Sequence, residues 1–317
     1  MGATTHESDD RRVRANVFRL AAAQALAGAN ASVVFATGAI LGAMMAPEKS
    51  LATAPVSVFV VGMAFGTLPV GAISRRYGRR AAFYVGSLAG ALCGLIAATA
   101  IIQNSFWLYC VATFFGGFYA AVSQSYRFAA TDGASAGFRA KAISWVMAGG
   151  VIAGFIGPQL VQNTMNLWQP YLFAATYIGQ AAVALIAMLV IAGVETPPPP
   201  PEAVGSGRPL FEVVRQPLFV VAAICGVVSY ALMNLVMTSA PLAMKLCGLT
   251  LSDSNLAIQW HVIAMYAPSF FTGSLISRFG AGRIVARGLA LEAAAAIVDL
   301  SGLSVGHFWT GLILLGV

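Results

Sequence analysis

An all-α integral membrane bundle is the fold class this sequence predicts, and three observations predict it. Hydrophobic residues make up 59% of the chain and charged residues only 9%, with a mean hydropathy of +0.80. Soluble domains average about 25% charged residues. The apolar residues fall into runs of membrane length, so that 317 residues divide into about nine or ten spans with short connections. One helix–turn–helix pattern also occurs twice, which marks a membrane protein assembled from repeats.

Taken in order, residues 1–16 are polar and hold Arg11, Arg12 and Arg14. They predict a short disordered cytoplasmic tail. The apolar run behind them is too long for the core of a cleaved signal peptide. Spans are expected at about 17–44, 52–74, 81–102, 106–126, 141–163, 169–193, 217–241, 254–276 and 284–304, with a tenth starting near 308. Residues 194–216 break the series. They contain Pro197 through Pro201, Gly205, Gly207 and Arg208, a composition that favours a stiff extended spacer. The chain therefore divides into a tail (1–16), a six-helix half (17–193), a proline-rich cytoplasmic linker (194–216) and a partial second half (217–317).

The repeated pattern lies between spans. Gly71-Ala72-Ile73-Ser74-Arg75-Arg76-Tyr77-Gly78-Arg79-Arg80 joins the second and third. Gly273-Ser274-Leu275-Ile276-Ser277-Arg278-Phe279-Gly280-Ala281-Gly282-Arg283 joins the eighth and ninth. Gly71, Arg76, Tyr77 and Gly78 align without a gap on Gly273, Arg278, Phe279 and Gly280. The glycines allow a tight turn, and the arginines hold it on the cytoplasmic side.

Charge placement supports that orientation. With a cytoplasmic N-terminus, 16 of the 18 Lys and Arg fall on inner loops or the adjoining helix ends. Only Lys49 and Lys245 lie on the outer side. The net charge of +7 thus reports topology rather than a nucleic-acid partner. The expected location is the inner membrane, in contact with lipid. Cys93, Cys110, Cys225 and Cys247 lack CxxC spacing, and His6, His261 and His307 are scattered, so no metal site or cofactor is expected. The spacings Gly38/Gly42, Gly62/Gly66, Gly90/Gly94 and Gly150/Gly154 read as helix packing.

The two turns, the six-plus-linker layout and the inside N-terminus resemble the major facilitator superfamily over nearly the whole chain. Gly71, Arg76, Gly78, Arg79 and Arg80 match the signature turn of that family. Arg139-Ala140-Lys141-Ala142 is similar to its entry into the fifth helix. Gln124 through Asp132 looks like the corresponding stretch of a bacterial permease subgroup. The resemblance implies two six-helix lobes, alternating access and a monomer. It implies a second lobe only partly present here, and hence an expectation that residues 1–317 alone do not transport.

The departures from the family bear on mechanism. Arg75 stands where the signature has an aspartate that latches one state, and an arginine there repels a helix N-terminus. Ala112 and Thr113 occupy the place of a membrane-embedded arginine found in many proton-coupled members. Gln162 replaces an expected glycine on the fifth span. Asp132 is the candidate replacement latch, pairing with Arg76, Arg79 or Arg80; the alternative is a solvated loop acid.

Substrate in such transporters binds near the midplane between lobes. Candidates to line the site are Gln24 and Asn30 on the first span, Tyr119, Ser123 and Gln124 on the fourth, and Tyr230 and Asn234 on the seventh. The eighth adds Gln259, Trp260, His261 and Tyr266. Each alternatively makes an interhelical hydrogen bond. His261 is a candidate proton carrier, with a neutral packed imidazole as the alternative. Glu292 is the acid deepest in a span, so it must be paired, protonated or in contact with water. The leading reading is a secondary transporter of a small organic solute, coupled to protons or another cation. The alternative is a non-transporting sensor or an inactive truncated remnant. No nucleophile–base or metal cluster points to an enzyme.

Overall fold

The computed structural model describes residues 2–132, 134–196 and 210–317. Thirteen α-helices occupy them: α1 Gly2–Met45, α2 Ala54–Tyr77, α3 Arg79–Ile102, α4 Phe106–Ser123, α5 Tyr126–Ala129, α6 Ala136–Thr164, α7 Ala174–Ala192, α8 Leu210–Val214, α9 Pro217–Leu246, α10 Leu251–Tyr266, α11 Ser269–Phe279, α12 Ala281–Ser301 and α13 Val305–Gly316. Seven of them are long and apolar enough to cross a bilayer unaided. The fold is all-helical, as the apolar runs predict.

The boundaries differ from expectation where local chemistry overrides hydropathy. The first helix begins at Gly2, so the tail expected to be disordered is helical. The fourth span ends at Ser123 and resumes as the short α5. The sixth starts only at Ala174, after Phe173 takes a left-handed φ of 68°. The eighth begins early because Thr250 and Asp253 form a reciprocal capping box at the start of α10, which satisfies two orphan N–H groups.

The larger difference is in the middle of the eighth span. The expected single helix 254–276 is two, α10 and α11, parted at Ala267 and Pro268. Proline has no N–H to donate to the carbonyl four residues back, and its ring crowds that carbonyl. The proline-rich run of the expected linker lies outside the described residues.

Two groups of helices result. Before residue 197, α1 packs on α6, α2 on α4, and α3 on both α4 and α7. Their core holds Phe59, Phe83, Tyr109, Tyr119, Tyr126 and Tyr177, all fully buried. After residue 209, α13 packs on α10 and α12, around Met244, Ala257 and Leu312. The groups meet chiefly where α10 lies on α6, with smaller contacts of α9 and α10 on α1.

Candidate functional site

The two arginine turns are copies in conformation as well as sequence. Gly78 has φ 86° and ψ 162°, and Gly280 has φ 83° and ψ 148°. Both lie in the region that only glycine enters cheaply. Each turn therefore reverses between helices with a single residue. The arginine before each aromatic lies over its ring, Arg76 at 5.3 Å from Tyr77 and Arg278 at 5.4 Å from Phe279.

Fastening distinguishes them. Arg79 binds Asp132 through two contacts, Nε to Oδ2 at 2.5 Å and Nη2 to Oδ1 at 3.2 Å. Of the three arginines considered for Asp132, the partner is Arg79. The position equivalent to Arg79 in the second turn is Ala281. Arg80 instead donates to the Tyr84 hydroxyl at 3.0 Å. Arg75 is exposed.

The interface between the two groups is built on α6 and α10. Gln162 Nε2 donates to Ser252 Oγ at 2.9 Å, Asn255 Nδ2 to the Pro158 carbonyl at 2.6 Å, and Gln159 Nε2 to Gln259 Oε1 at 3.2 Å. These links occupy the end of the bundle away from the arginine turns. Pro158 lies inside α6, and its own carbonyl accepts one of them. Nearer the turns the contact becomes apolar and close. Ile263 lies against Gly154, and the ring of Tyr266 lies flat where a Cβ on Gly150 would stand. Gln159, Ser252 and Asn255 escape a reading by depth alone. Their shared spacing was the available signal, because residues three or four apart fall on one helix face.

Tyr266 brings the groups together at mid-depth. It lies about 20 Å along its span from each end, at 1.5 Å per residue. Its ring packs on the bare backbone of α6 at Gly150. Gly150 belongs to the first group of helices, Tyr266 to the second. Tyr230 also points its hydroxyl at the Met63 sulfur, 3.8 Å away. A cavity of about 350 Å³ on the other side of Tyr230 holds Glu292, with Ser229, Met233 and the last residues of α13. Asn234 lines a second gap between α2 and α9 and donates to the Tyr230 carbonyl at 2.8 Å. Tyr230, Asn234 and Glu292 thus border the two gaps that flank α9.

The other residues considered for the lining lie elsewhere. Asn30 is buried inside the first group, donating to the Gly116 carbonyl at 3.0 Å and accepting from Gln180 at 2.5 Å. Tyr119 is buried between α3 and α4, its ring against Gly90. Ser123 returns its hydroxyl to the Ala120 carbonyl at 2.9 Å. Gln124 is exposed. His261 is fully buried and faces α13, donating from Nδ1 to the Leu312 carbonyl at 2.8 Å. Trp260 is 40% exposed on the bundle surface.

A stack of apolar helices in two groups, meeting along α6 and α10, is the architecture of a multi-pass membrane transporter of small solutes. The family model described as Major Facilitator Superfamily matches residues 20–317, and the chain belongs to that family. It is 46% identical over 313 residues to the riboflavin transporter RfnT of Brucella anthropi, covering 98% of this chain and 79% of that protein. It is 31% identical to the uncharacterized MFS-type transporter YddS of Bacillus subtilis, across 93% of this chain and 72% of that protein. Among solved structures, the partially occluded inward-open xylose transporter XylE of E. coli superposes with a TM-score of 0.69 at 12% identity, over 96% of this chain and 83% of that one. That likeness concerns the fold.

Proposed function

We propose that the protein carries riboflavin or a close flavin analogue across the cytoplasmic membrane by alternating access of two lobes. The observation that carries this reading is the 46% identity to a riboflavin transporter across 98% of the chain. Tyr266 at the junction of the lobes and Tyr230 beside a gap support it, since tyrosine rings suit a flat heteroaromatic solute. In this reading the N-terminus is cytoplasmic and residues 194–216 link the lobes on that side. The polar links of α6 with α10 then close the outer end, leaving access from the inside. Asp132 and Arg79 brace the inner end of the first lobe.

Coupling to a proton or another cation belongs to the same proposal. Glu292 suits that role better than His261. It borders a cavity beside Tyr230, whereas the His261 ring is committed to the Leu312 carbonyl. The test is uptake by bacteria that cannot make riboflavin and lack their own carrier, expressing the intact protein. Growth on micromolar riboflavin is expected, and a protonophore should abolish accumulation. Absence of riboflavin uptake by a well-expressed protein removes the flavin reading. Accumulation that survives the protonophore removes only proton coupling.

A further inference from the structure

At the arginine-turn end of the first group of helices, three rings from α1 and α6 gather on one seam. Phe18 on α1 meets Trp145 on α6 with ring centroids 4.9 Å apart, and Phe138 meets Trp145 edge-on at 5.8 Å. Val17, Ala142 and Val146 close the seam behind them and are fully buried. Phe18 itself stays 61% exposed, an apolar surface turned outward from the bundle. Lys141 lies one turn before Trp145 and holds its ammonium over that ring, 5.6 Å from the centroid. Arg14 is exposed one turn before Phe18, on the same face of α1. The two helices run in the same direction, since Phe18 lies at Trp145, Ala21 at Gly149 and Ala29 at Gly157. One turn back along both, that register sets Arg14 beside Lys141. Neither makes an ion pair among the described residues.

We propose that this seam binds an anionic phospholipid, with Arg14 and Lys141 on the phosphate and an acyl chain along Phe18 and Trp145. The proposal needs only that the chain lies in a bilayer, and it is independent of the flavin reading. Phe18 and Trp145 stand at the start of the apolar spans of α1 and α6, so the cations lie at headgroup depth and the rings just below it. Lysine and arginine reach that level with their stems laid on apolar surface. Interfacial tryptophans and lysines set the depth of any bundle; here three rings and two cations converge on a single seam. Basic pockets between helices are suited to lipid headgroups. Charge selects which lipid. A phosphodiester accepts from both side chains, whereas a zwitterionic lipid brings its own cation against them. Aromatic faces can hold a quaternary ammonium, but Lys141 already takes the face of Trp145. A phosphate esterified to uncharged glycerol, as in phosphatidylglycerol, meets both conditions. Because α10 lies on α6, a lipid held here steadies the support of the joint between the two groups.

Photo-crosslinking tests this on the intact protein in vesicles. Phosphatidylglycerol and phosphatidylcholine, each carrying a diazirine near the head of one acyl chain, are compared at equal mole fraction, and the labelled peptides are read by mass spectrometry. In the wild type, phosphatidylglycerol should label the peptides holding Phe18 and Trp145 about tenfold more than phosphatidylcholine does. Unlabelled phosphatidylglycerol should compete, and glycerol 3-phosphate in solution should not. The double variant Arg14→Gln with Lys141→Gln should fall to the phosphatidylcholine level, while Lys141→Arg should keep the preference. Thermal unfolding checks that each variant is folded. Equal labelling of the wild type by both lipids overturns the site even if every variant misfolds. So does a folded double variant labelled as the wild type is. Displacement by glycerol 3-phosphate as effective as that by the lipid would mean a site for a soluble anion, and the lipid proposal fails.

Discussion

The turns at Gly78 and Gly280 have nearly the same backbone angles and the same arginine-over-aromatic stack, yet among the described residues only the first is fastened by an ion pair. Arg79 ties it to Asp132 in the turn after α5; Ala281 in the second has no charge to tie. Backbone geometry has thus been kept where the reversal demands it, while the charged fastening has been placed on one copy. The second turn holds its aromatic differently. Phe279 is flanked by two cations, Arg278 at 5.4 Å and Arg287 at 5.1 Å. The lesson is that the glycine and the ion pair do separate jobs, and that they can be perturbed separately.

The largest expected effect breaks the fastening. Asp132→Ala should lower the uptake rate about tenfold, since it leaves Arg79 part-buried and unpaired. The swap Asp132→Arg with Arg79→Asp should restore most of it, and Ala281→Arg in the second turn should change little. A swap that restores nothing would show that the pair does more than hold two helices together. Next in size are Gly78→Ala and Gly280→Ala, each expected to cost roughly 1–2 kcal/mol because an L side chain is forced to positive φ. Thermal unfolding in detergent should report similar losses for both; a clear inequality would mean that the two turns are not equivalent in solution. Smaller again is Arg287→Ala, which removes one cation from Phe279 and should cost about 0.5–1 kcal/mol. Smallest is Arg75→Ser, which makes the first turn resemble the second at Ser277 and should stay within about 0.5 kcal/mol. A large effect there would reveal a partner for Arg75 in another conformation.

Spans and turns were legible because their signals are one-dimensional. Apolar length marks a span, and glycine among arginines marks a reversal. The pairing of Asp132 with an arginine was legible for the same reason, since topology brings both to one end of the bundle. The break at Pro268 was written in the chain but masked by hydropathy, which does not register a missing N–H. Site residues were harder. Depth can be counted along a span, but the face a side chain takes depends on which helices flank it. Asn30, placed by depth in the lining, instead faces Gln180 inside the first group. His261 likewise looked suited to proton transfer until α13 was seen to supply its partner.

Helix α6 carries bare backbone on two sides. Gly149 and Gly157 meet α1, while Gly150 and Gly154 meet α10. Interlocked side chains act as detents, and a helix can shift past them only by first lifting out of each notch. Where the glycines lie there are few notches. The joint between the lobes then works as a smooth bearing near the arginine turns and as a hydrogen-bonded latch at the far end. In the proposed alternating-access cycle, release of the three amide links is then the step expected to set the pace, rather than the friction of the surface on which the lobes roll.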